Sequence, residues 1–280
     1  MVLFPPAKLN LGLHVVGKRP DGYHNLESIF VPLGWTDVLE VLLDQSVPQG
    51  TLKTTWTGLP IPGEESGNLI VKAHQLLAQG RDLPGMTAHL HKVLPMGAGL
   101  GGGSADGTYM LRAVNELCEL GLTRETLMEL AAQLGSDCAF FVGAVPALVT
   151  GRGEHVSPVR ATWAEGLWVV VCNPGIHIST AEAFEGLTPG LRKVEWEALL
   201  HQPVSSWSDE IQNDFETGAC TRHPEILDLL QSLRKAGAAY VQMTGSGSTV
   251  FGLFEDEAQA QNAGRNLAAG YCGPLGAPQC

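Results

Sequence analysis

Basic residues are scarce in this chain: 17 Lys and Arg stand against 29 Asp and Glu, a formal net charge of −12. This acidic balance argues against a nucleic-acid-binding scaffold, although a local basic pocket is compatible with it. No apolar run approaches the roughly 20 residues that span a bilayer. The first residues also lack the basic flank and long apolar stretch of a signal peptide. We therefore expect a cytoplasmic protein with no nucleic-acid partner and no membrane partner.

Disulfide and metal-site patterns are missing as well. The six cysteines form no C-x-x-C pair and have no zinc-site spacing, so we expect free thiols in a reducing cytoplasm. His89 and His91 alternate on a predicted strand without partner ligands nearby, which favours a solvated strand face. The sequence therefore assigns no metal ligands.

Glycine, by contrast, is in excess. The chain has 34 glycines in 280 residues, where an average protein has about 7%. Clustered glycine without a repeat period indicates that backbone approaches a ligand closely. One cluster contains Gly97, Gly99, Gly101, Gly102, Gly103 and Gly107.

Length and pattern predict two domains. A chain of 280 residues with 44% hydrophobic residues can build a real core. The pattern restarts after Ser157 and Pro158, so we expect domains at 1–157 and 158–280. Helix, strand, strand and helix follow one another in the second, which is typical of an α+β domain.

Hydrophobic periodicity and capping residues predict the individual elements. In residues 9–15, leucines alternate with polar residues as in a strand with one buried face. Other predicted strands are 38–43, 51–56, 87–94, 167–172, 238–243 and 249–254. Two predicted helices follow the caps Asn68 and Thr123, and three others begin at Ser104, at Pro224 and at about Asp256.

The glycine-rich loop 95–104 lies between a predicted strand and the helix that begins at Ser104. Residues without side chains let backbone N–H groups face one point, and the helix N-terminus adds partial positive charge. The loop therefore predicts a phosphate cradle. A flexible surface loop is the weaker interpretation, because an ordinary turn does not need the six clustered glycines, five of which lie in this loop.

Two other phosphate motifs fit less well. Residues 12–18 (GLHVVGK) approach a P-loop, but Arg19 replaces the required Ser or Thr and Pro20 breaks the expected helix. Residues 97–102 (GAGLGG) match the dinucleotide fingerprint, yet Glu119 is predicted in a helix and not at the end of a second strand. An NAD-dependent oxidoreductase stays a weaker alternative.

Three polar residues, Lys8, Asn10 and Asp137, become candidate site residues when they are considered together. Alone, Asp137 after Gly135 is typical of a cap, and Lys8 is typical of a solvated surface charge. Beside bound phosphate, however, a carboxylate and a lysine would orient a hydroxyl group and offset charge in phosphoryl transfer.

Three segments, 6–11 (PAKLNL), 95–104 (PMGAGLGGGS) and 244–248 (TGSGS), resemble the three motifs of the GHMP kinase superfamily, in the same order. Segment 21–28 (DGYHNLES) is similar to an element of those members that act on a cytidine diphosphate conjugate of methylerythritol in the non-mevalonate isoprenoid pathway. The resemblance extends over nearly the whole chain.

The resemblance implies a two-domain α+β GHMP kinase fold. An N-terminal domain like domain 2 of ribosomal protein S5 would precede a ferredoxin-like C-terminal domain, with the active site between them. It also implies ATP as phosphoryl donor, Mg²⁺, and direct transfer to the 2-hydroxyl of the methylerythritol unit. The partner is then a small-molecule substrate, and a homodimer is compatible with it.

The resemblance also assigns site residues. Lys8 and Asp137 match the catalytic lysine and aspartate, and the implied ATP site contains Pro95, Met96, Gly97, Ala98, Gly99, Leu100, Gly101, Gly102, Gly103, Ser104 and Ala105. The implied substrate site contains Asn10, Tyr23, His24, Phe30, Thr180, Phe184, Ser246 and Gly247. On sequence alone, Phe30 and Phe184 are better explained as core.

This sequence departs from the family pattern in two places. Ser246 and Ser248 replace residues that vary within the third motif. Ala139 stands where members often have proline after the aspartate. No dedicated carboxylate pair for Mg²⁺ is evident, so phosphates, waters and Ser104 would hold the ion. A mevalonate, homoserine or sugar acceptor stays an alternative.

Overall fold

The computed structural model describes residues 1–190 and 194–276. These residues contain three four-stranded sheets and nine α-helices. The first sheet contains, in spatial order, β1 (Val2–Leu3), β4 (Val38–Leu43), β6 (Met86–Lys92) and β5 (Leu52–Gly58). It is antiparallel except between β5 and β6. The second sheet is antiparallel and contains β2 (Pro6–Lys18), β3 (His24–Thr36), β7 (Ala147–Gly151) and β8 (His155–Pro158).

Four helices accompany these two sheets. They are α1 (Leu69–Ala78), α2 (Gly102–Leu117), α3 (Arg124–Leu134) and α4 (Cys138–Phe141). As predicted, Asn68 and Thr123 cap α1 and α3, because their side chains accept backbone N–H hydrogen bonds. Helix α2 begins at Gly102, two residues before the predicted start at Ser104. Within the described ranges, no helix combines the length and the hydropathy needed to cross a lipid bilayer.

The third sheet has the order expected of a ferredoxin-like domain. It contains β10 (Tyr240–Met243), β11 (Val250–Phe254), β9 (Trp168–Cys172) and β12 (Tyr271–Pro274), all antiparallel. Helices α8 (Pro224–Lys235) and α9 (Glu257–Asn266) complete a β-α-β-β-α-β sequence with these strands. Three short helices precede them: α5 (Thr180–Phe184), α6 (Trp196–Leu200) and α7 (Glu216–Arg222).

Strand β2 is buried on both faces, and in this the prediction of one solvated face was wrong. Lys8 and Asn10 are each 2% exposed and His14 is 0% exposed. The leucine face joins a core with the third sheet, while Lys8 and Asn10 face an internal cavity. The alternation of residue types along β2 is therefore confirmed. One face of the strand packs in the core, and the other faces the cavity instead of solvent.

Five strands, β1, β3, β7, β8 and β12, were not predicted from the pattern. Residues 29–33 of β3 form a continuous apolar run without period-two alternation, and this run includes Pro32. Both features conceal a strand, since alternation is the usual signal and proline is rare within sheets. The strand is nevertheless 13 residues long and holds β2 and β7 together.

A hydrophobic core crosses the predicted domain boundary. Leu9 and Val31 of the second sheet lie in one cluster of buried side chains with Val169 and Phe251 of the third sheet. Strand β2 also hydrogen-bonds to the later chain, because the Leu13 N–H donates to the Gln212 carbonyl at 2.9 Å. The elements do change between β8 and β9, near the predicted boundary, but the division at 157/158 stays a prediction.

Candidate active site

A cavity of 920 Å³ lies between the second sheet, the glycine-rich loop and the later half of the chain. Most of the site residues predicted from the sequence line it. They are Lys8, Asn10, Tyr23, His24, Phe30, Pro95, Met96, Gly97, Ala98, Gly99, Gly101, Gly102, Gly103, Ser104, Asp137, Thr180, Phe184 and Ser246. Segments that are far apart in the chain thus meet around one space.

Three of the predicted residues do not line this cavity. Leu100 is 1% exposed and Ala105 is 0% exposed, and both side chains belong to hydrophobic clusters. Gly247 is buried, and a Cβ there would meet Met243. These positions support the loops from behind, for example through the Leu100 carbonyl, which accepts the Lys8 N–H at 2.9 Å.

Lys8 and Asp137 form an ion pair at the cavity wall, with Nζ and Oδ2 3.2 Å apart. The Lys8 side chain is 3% exposed and that of Asp137 is 31% exposed. Nζ also donates to Oδ1 of Asn10 at 2.5 Å and lies 4.6 Å from the Phe30 ring centroid. Asp137 stands at the N-cap position of α4, but its side chain makes no capping hydrogen bond. Its carboxylate serves the pair with Lys8, so the cap interpretation fails.

Asn10 is fixed by neighbours on several elements. Its N–H donates to Oγ1 of Thr244 at 2.9 Å, and its Nδ2 donates to Oγ of Ser28 at 3.0 Å. The Ser28 hydroxyl donates in turn to the Gly12 carbonyl at 2.5 Å. These bonds orient the Asn10 amide so that its oxygen faces the Lys8 ammonium.

The glycine-rich loop reaches the cavity largely through its backbone. Gly97, Gly99 and Gly101 have φ values of 62°, 78° and 72°, in the left-handed region that glycine adopts freely. The loop leads into the N-terminus of α2, where unpaired N–H groups and the positive end of the helix dipole face the ligand space. Ser104 lies in the first turn of that helix. This geometry suits a phosphate group.

The loop 244–248 packs directly on the glycine-rich loop. A Cβ at Gly99 would collide with the Thr244 carbonyl, so only glycine allows this approach. Asn213, 5% exposed, holds the second loop, because its Nδ2 donates to the carbonyls of Met243 at 2.7 Å and Gly245 at 2.9 Å. Sequence reasoning missed Asn213, since a lone asparagine in an unpredicted segment carries no local signal.

Aromatic residues lie at another part of the cavity. Tyr23 follows a turn in which Oδ1 of Asp21 accepts the Tyr23 N–H at 3.1 Å, and the residue is 54% exposed. The Arg152 guanidinium carbon lies 4.9 Å from the centre of that ring. His24 stacks on Phe184 with ring centroids 4.3 Å apart and planes inclined by 16°. These faces suit a planar ring as ligand.

The cavity is less acidic than the molecule as a whole. Lys8, Arg152, His24 and His177 line it, and among the described residues around it Asp137 is the only carboxylate. In a chain of net charge −12, this local balance favours an anionic ligand. Sequence reasoning missed Arg152 and His177, because neither belongs to a motif that was recognised.

Other chemistries find little support at this site. Burial raises the pKa of the Cys138 thiol, next to Asp137, to about 11, so this thiol is neutral and a poor nucleophile. Within residues 1–190 and 194–276, no group of three or more His, Cys, Asp and Glu side chains is arranged to hold a metal ion. Glu119 lies in the turn after α2 with φ of 50°, not at the end of a strand as a dinucleotide site requires.

Comparisons with known proteins agree with this geometry. Residues 68–144 match the model of the GHMP kinases N terminal domain, and residues 197–271 match that of the GHMP kinases C terminal domain. A 4-diphosphocytidyl-2-C-methyl-D-erythritol kinase of Cytophaga hutchinsonii is 41% identical over 91% of this chain and 92% of its own length. A kinase of the same name from Bacteroides fragilis is 43% identical over 92% of this chain and 93% of its own. The chain belongs to the 4-diphosphocytidyl-2-C-methyl-D-erythritol kinase family of GHMP kinases.

Solved structures support the fold of this kinase. A crystal structure of 4-(cytidine 5'-diphospho)-2C-methyl-D-erythritol kinase has a TM-score of 0.81 and 30% identity, and the match covers 99% of this chain and 100% of that one. A homoserine kinase from Cytophaga hutchinsonii, with a TM-score of 0.71 and 18% identity over 98% and 94% of the two chains, shares the fold. The predicted two-domain α+β GHMP fold is confirmed, and the protein is an ATP-dependent phosphotransferase of isoprenoid biosynthesis.

Proposed function

We propose that this kinase transfers the γ-phosphate of ATP to the 2-hydroxyl group of 4-diphosphocytidyl-2-C-methyl-D-erythritol. The observation that carries the proposal is the Lys8–Asp137 ion pair, 3.2 Å long, which faces the cavity beside the glycine-rich loop. The choice of acceptor is supported by relatives about 40% identical that bear this activity in their names.

On the donor side, the loop 95–105 and the N-terminus of α2 hold the triphosphate. Backbone N–H groups at a helix start bind phosphate oxygens without adding side-chain bulk. Ser246 on the neighbouring loop faces the same space, and Gly247 keeps that loop close to the phosphates from behind.

In the reaction, the acceptor hydroxyl oxygen forms a bond to the γ-phosphorus while the bond from that phosphorus to the bridging oxygen breaks and ADP leaves. Asp137 orients the hydroxyl group and accepts its proton. Lys8 offsets the negative charge around the transferring group, and Asn10 holds the ammonium in place.

Mg²⁺ accompanies ATP in this proposal. The described residues offer no carboxylate cluster for it, so phosphate oxygens, waters and the Ser104 hydroxyl would hold the ion. This fits magnesium, which retains several waters when bound. The ion would supply charge neutralisation at the phosphates.

On the acceptor side, the cytidine lies near Tyr23, His24 and Phe184. Tyr23 and Phe184 offer ring faces for stacking, and His24 offers ring nitrogens for hydrogen bonds to the base edge. Thr180 at the start of α5 and Phe30 beside Lys8 complete the wall of this part of the cavity.

A coupled assay of ADP release tests the acceptor directly. The cytidine diphosphate conjugate of methylerythritol, mevalonate, homoserine and a simple sugar are offered in parallel with Mg-ATP. We expect turnover with the cytidine conjugate alone. Turnover with one of the others, and none with the conjugate, would refute the proposal.

Replacing Tyr23 with Ala tests the base-binding end. Loss of one stacking face is expected to raise KM for the acceptor by about tenfold or more, because base–aromatic stacking contributes roughly 1–3 kcal/mol. KM for ATP should change little. Tyr271→Ala, which removes a tyrosine stacked on Trp35, is the matched control and should leave the acceptor KM unchanged. An unchanged acceptor KM in Tyr23→Ala would place the base elsewhere.

A further inference from the structure

Three buried charged residues lie beneath the glycine-rich loop. Lys92 at the end of β6 is 1% exposed, and its Nζ lies 2.5 Å from Oδ2 of Asp37 and 2.7 Å from Oδ2 of Asp106. Asp37 is 0% exposed and Asp106 is 3% exposed. Asp37 lies between β3 and β4, and Asp106 is the fifth residue of α2. We call these three residues the buried triad.

The buried triad holds the start of the glycine-rich loop. Oδ1 of Asp37 accepts the N–H groups of Val93 at 2.6 Å and Leu94 at 2.8 Å, the two residues directly before Pro95. One carboxylate therefore binds both the Lys92 ammonium and the backbone that leads into the loop. The path by which the chain leaves β6 is fixed by this carboxylate.

The same triad holds the end of the loop. Asp106 ties the first turns of α2 to Lys92, and a Cβ at Gly102 would lie only 3.1 Å from Nζ of Lys92. The ammonium is thus packed against Gly102, the first residue of α2. The Lys92 side chain therefore connects the start of the loop, through Asp37, with its end, through Asp106.

Stability alone is a weak explanation for this arrangement. Burying a lysine and two carboxylates carries a large desolvation cost, and apolar replacements of such groups are often neutral or stabilising. Burial, together with the neighbouring Asp37, raises the pKa of Asp106 to about 7, and its Oδ1 has no hydrogen-bond partner among the described residues. A group kept in so unfavourable a place is better explained by what it positions.

We propose that Lys92, Asp37 and Asp106 are positioning residues for the nucleotide, which set the geometry of the glycine-rich loop for the triphosphate without touching it. The proposal rests on the proposed function in one respect, that this loop binds ATP. None of the three residues lines the cavity, and their contacts go to the two ends of the loop 95–105, so we expect the effect to be specific to the nucleotide.

Replacement of Asp106 by Leu or by Asn separates positioning from mere packing. Asp106→Leu keeps the number of side-chain heavy atoms and the branch at Cγ but offers Lys92 no acceptor, whereas Asp106→Asn keeps an oxygen for it. We expect Asp106→Leu to raise KM for ATP by about tenfold, the effect of losing one charge-assisted hydrogen bond. KM for the acceptor should change less than twofold in Asp106→Leu. In Asp106→Asn, KM for ATP should stay close to the wild-type value.

Asn115→Ala is the control, because Asn115 lies in the same helix but near its other end. Its Oδ1 accepts the Leu122 N–H at 2.9 Å, so its loss destabilises α2 far from the loop. This variant should lower the melting temperature and leave KM for ATP unchanged. If Asp106→Leu behaved in the same way, the buried triad would be structural only and the proposal would be wrong.

Lys92→Met decides the question if Asp106→Leu does not fold, with the same selective rise in KM for ATP expected. An equal loss for both substrates would also overturn the proposal. Calorimetric titration of each variant with ADP gives a second readout that needs no acceptor. If the wild type turned over none of the acceptors, the proposed function would fail, while the ADP titrations would still test the buried triad.

Discussion

The Asp137 carboxylate is paired with a residue that is far away in sequence. At the N-terminal end of a four-residue helix it has the position of a cap, yet its carboxylate turns to Lys8 on β2. Lys8 in turn is 3% exposed and surrounded by Asn10 and the Phe30 ring. A charge pair held so firmly at a cavity wall is suited to act on a bound group and not on solvent.

Replacing Asp137 with Asn tests its part in the chemistry. We expect kcat to fall by about 10² to 10⁴, the usual contribution of a positioned acid or base, because the amide cannot accept a proton. ADP binding, measured by calorimetry, should stay near the wild-type value. Asp44→Asn, in an exposed turn away from the cavity, is the control. A kcat for Asp137→Asn within threefold of the wild type would remove Asp137 from the mechanism.

The raised pKa of Asp106 predicts that the stability of the fold depends on pH. Its pKa is raised from an ordinary 3.8 to about 7 by burial and by Asp37, against the opposing effect of Lys92. Between these values the folded state binds more protons than the unfolded state, so this group's contribution to stability falls as pH rises from about 4 to 7. The quantity to compare is the free energy of unfolding of the wild type minus that of Asp106→Asn. We expect this difference to decrease as pH rises from about 4 to 7 and to level off above pH 7. Urea denaturation at several pH values measures it, and a difference that rises with pH would contradict the shift.

The residues that sequence reasoning found and those it missed differ in kind. The glycine loop and the Tyr23–His24 pair belong to contiguous motifs, so short segments predicted them. Asn213 and Lys92 act on loops through contacts between distant segments, and no local pattern marks such contacts. Leu100 and Ala105 show the converse: they lie inside the right motif, but helix and loop geometry turn their side chains into the core.

At the level of elements, two glycine loops from different halves of the chain depend on each other. The loop 244–248 approaches Gly99 so closely that a side chain there would collide with the Thr244 carbonyl. Thr244 also accepts the Asn10 N–H at 2.9 Å, which connects the second loop to β2. Movement of either loop would therefore change the wall of the cavity.

Asn213→Ala tests this dependence. Two buried carbonyls, of Met243 and Gly245, would lose their donor, at a cost of about 1–3 kcal/mol in the free energy of unfolding. Because the freed loop contacts the glycine-rich loop, we also expect kcat/KM for ATP to fall by roughly tenfold. Ser232→Ala, on α8, should do neither. Lost stability with unchanged kinetics would show that the second loop keeps its place without Asn213.

Element prediction succeeded where hydrophobic periodicity and caps coincide. Helix α1 has an apolar face and the Asn68 cap, and α8 begins with Pro224 as predicted. Strand β3 failed because it is buried on both faces in its middle, so it has no alternation to read. Its neighbours in the sheet, not its own pattern, make it a strand.

At the scale of the whole molecule, charge is distributed unevenly in a way that serves an anionic ligand. The chain has a net charge of −12, yet Lys8, Arg152 and two histidines surround a single described carboxylate in the cavity. An acidic exterior repels ATP at long range, although salt screens this over about 10 Å. We therefore expect close contacts inside the cavity, and not long-range attraction, to bind the anionic ligand.

The continuity of the core predicts that both halves unfold together. Trp196 of α6 lies against β2, where a Cβ at Gly12 would be 2.8 Å from its ring, and its Nε1 donates to Glu27 of β3 at 3.5 Å. Trp196→Ala removes this contact between the halves and should cost about 3–5 kcal/mol. For a chain of this size, that corresponds to a fall of about 10 °C in the melting temperature.

The shape of the transition is the decisive measurement. Four of the six tryptophans follow residue 158, so fluorescence reports mainly on the later half, while far-UV circular dichroism reports on the whole chain. If the core is one cooperative unit, the two signals change at the same temperature in the wild type and in Trp196→Ala. Leu127→Ala, in the first half, should then shift the fluorescence transition as well, although Leu127 is remote from most of the tryptophans. Two separate transitions in the wild type would mean that the contacts across residue 158 are too weak to couple the halves, and the cavity between them would then be free to open without unfolding either one.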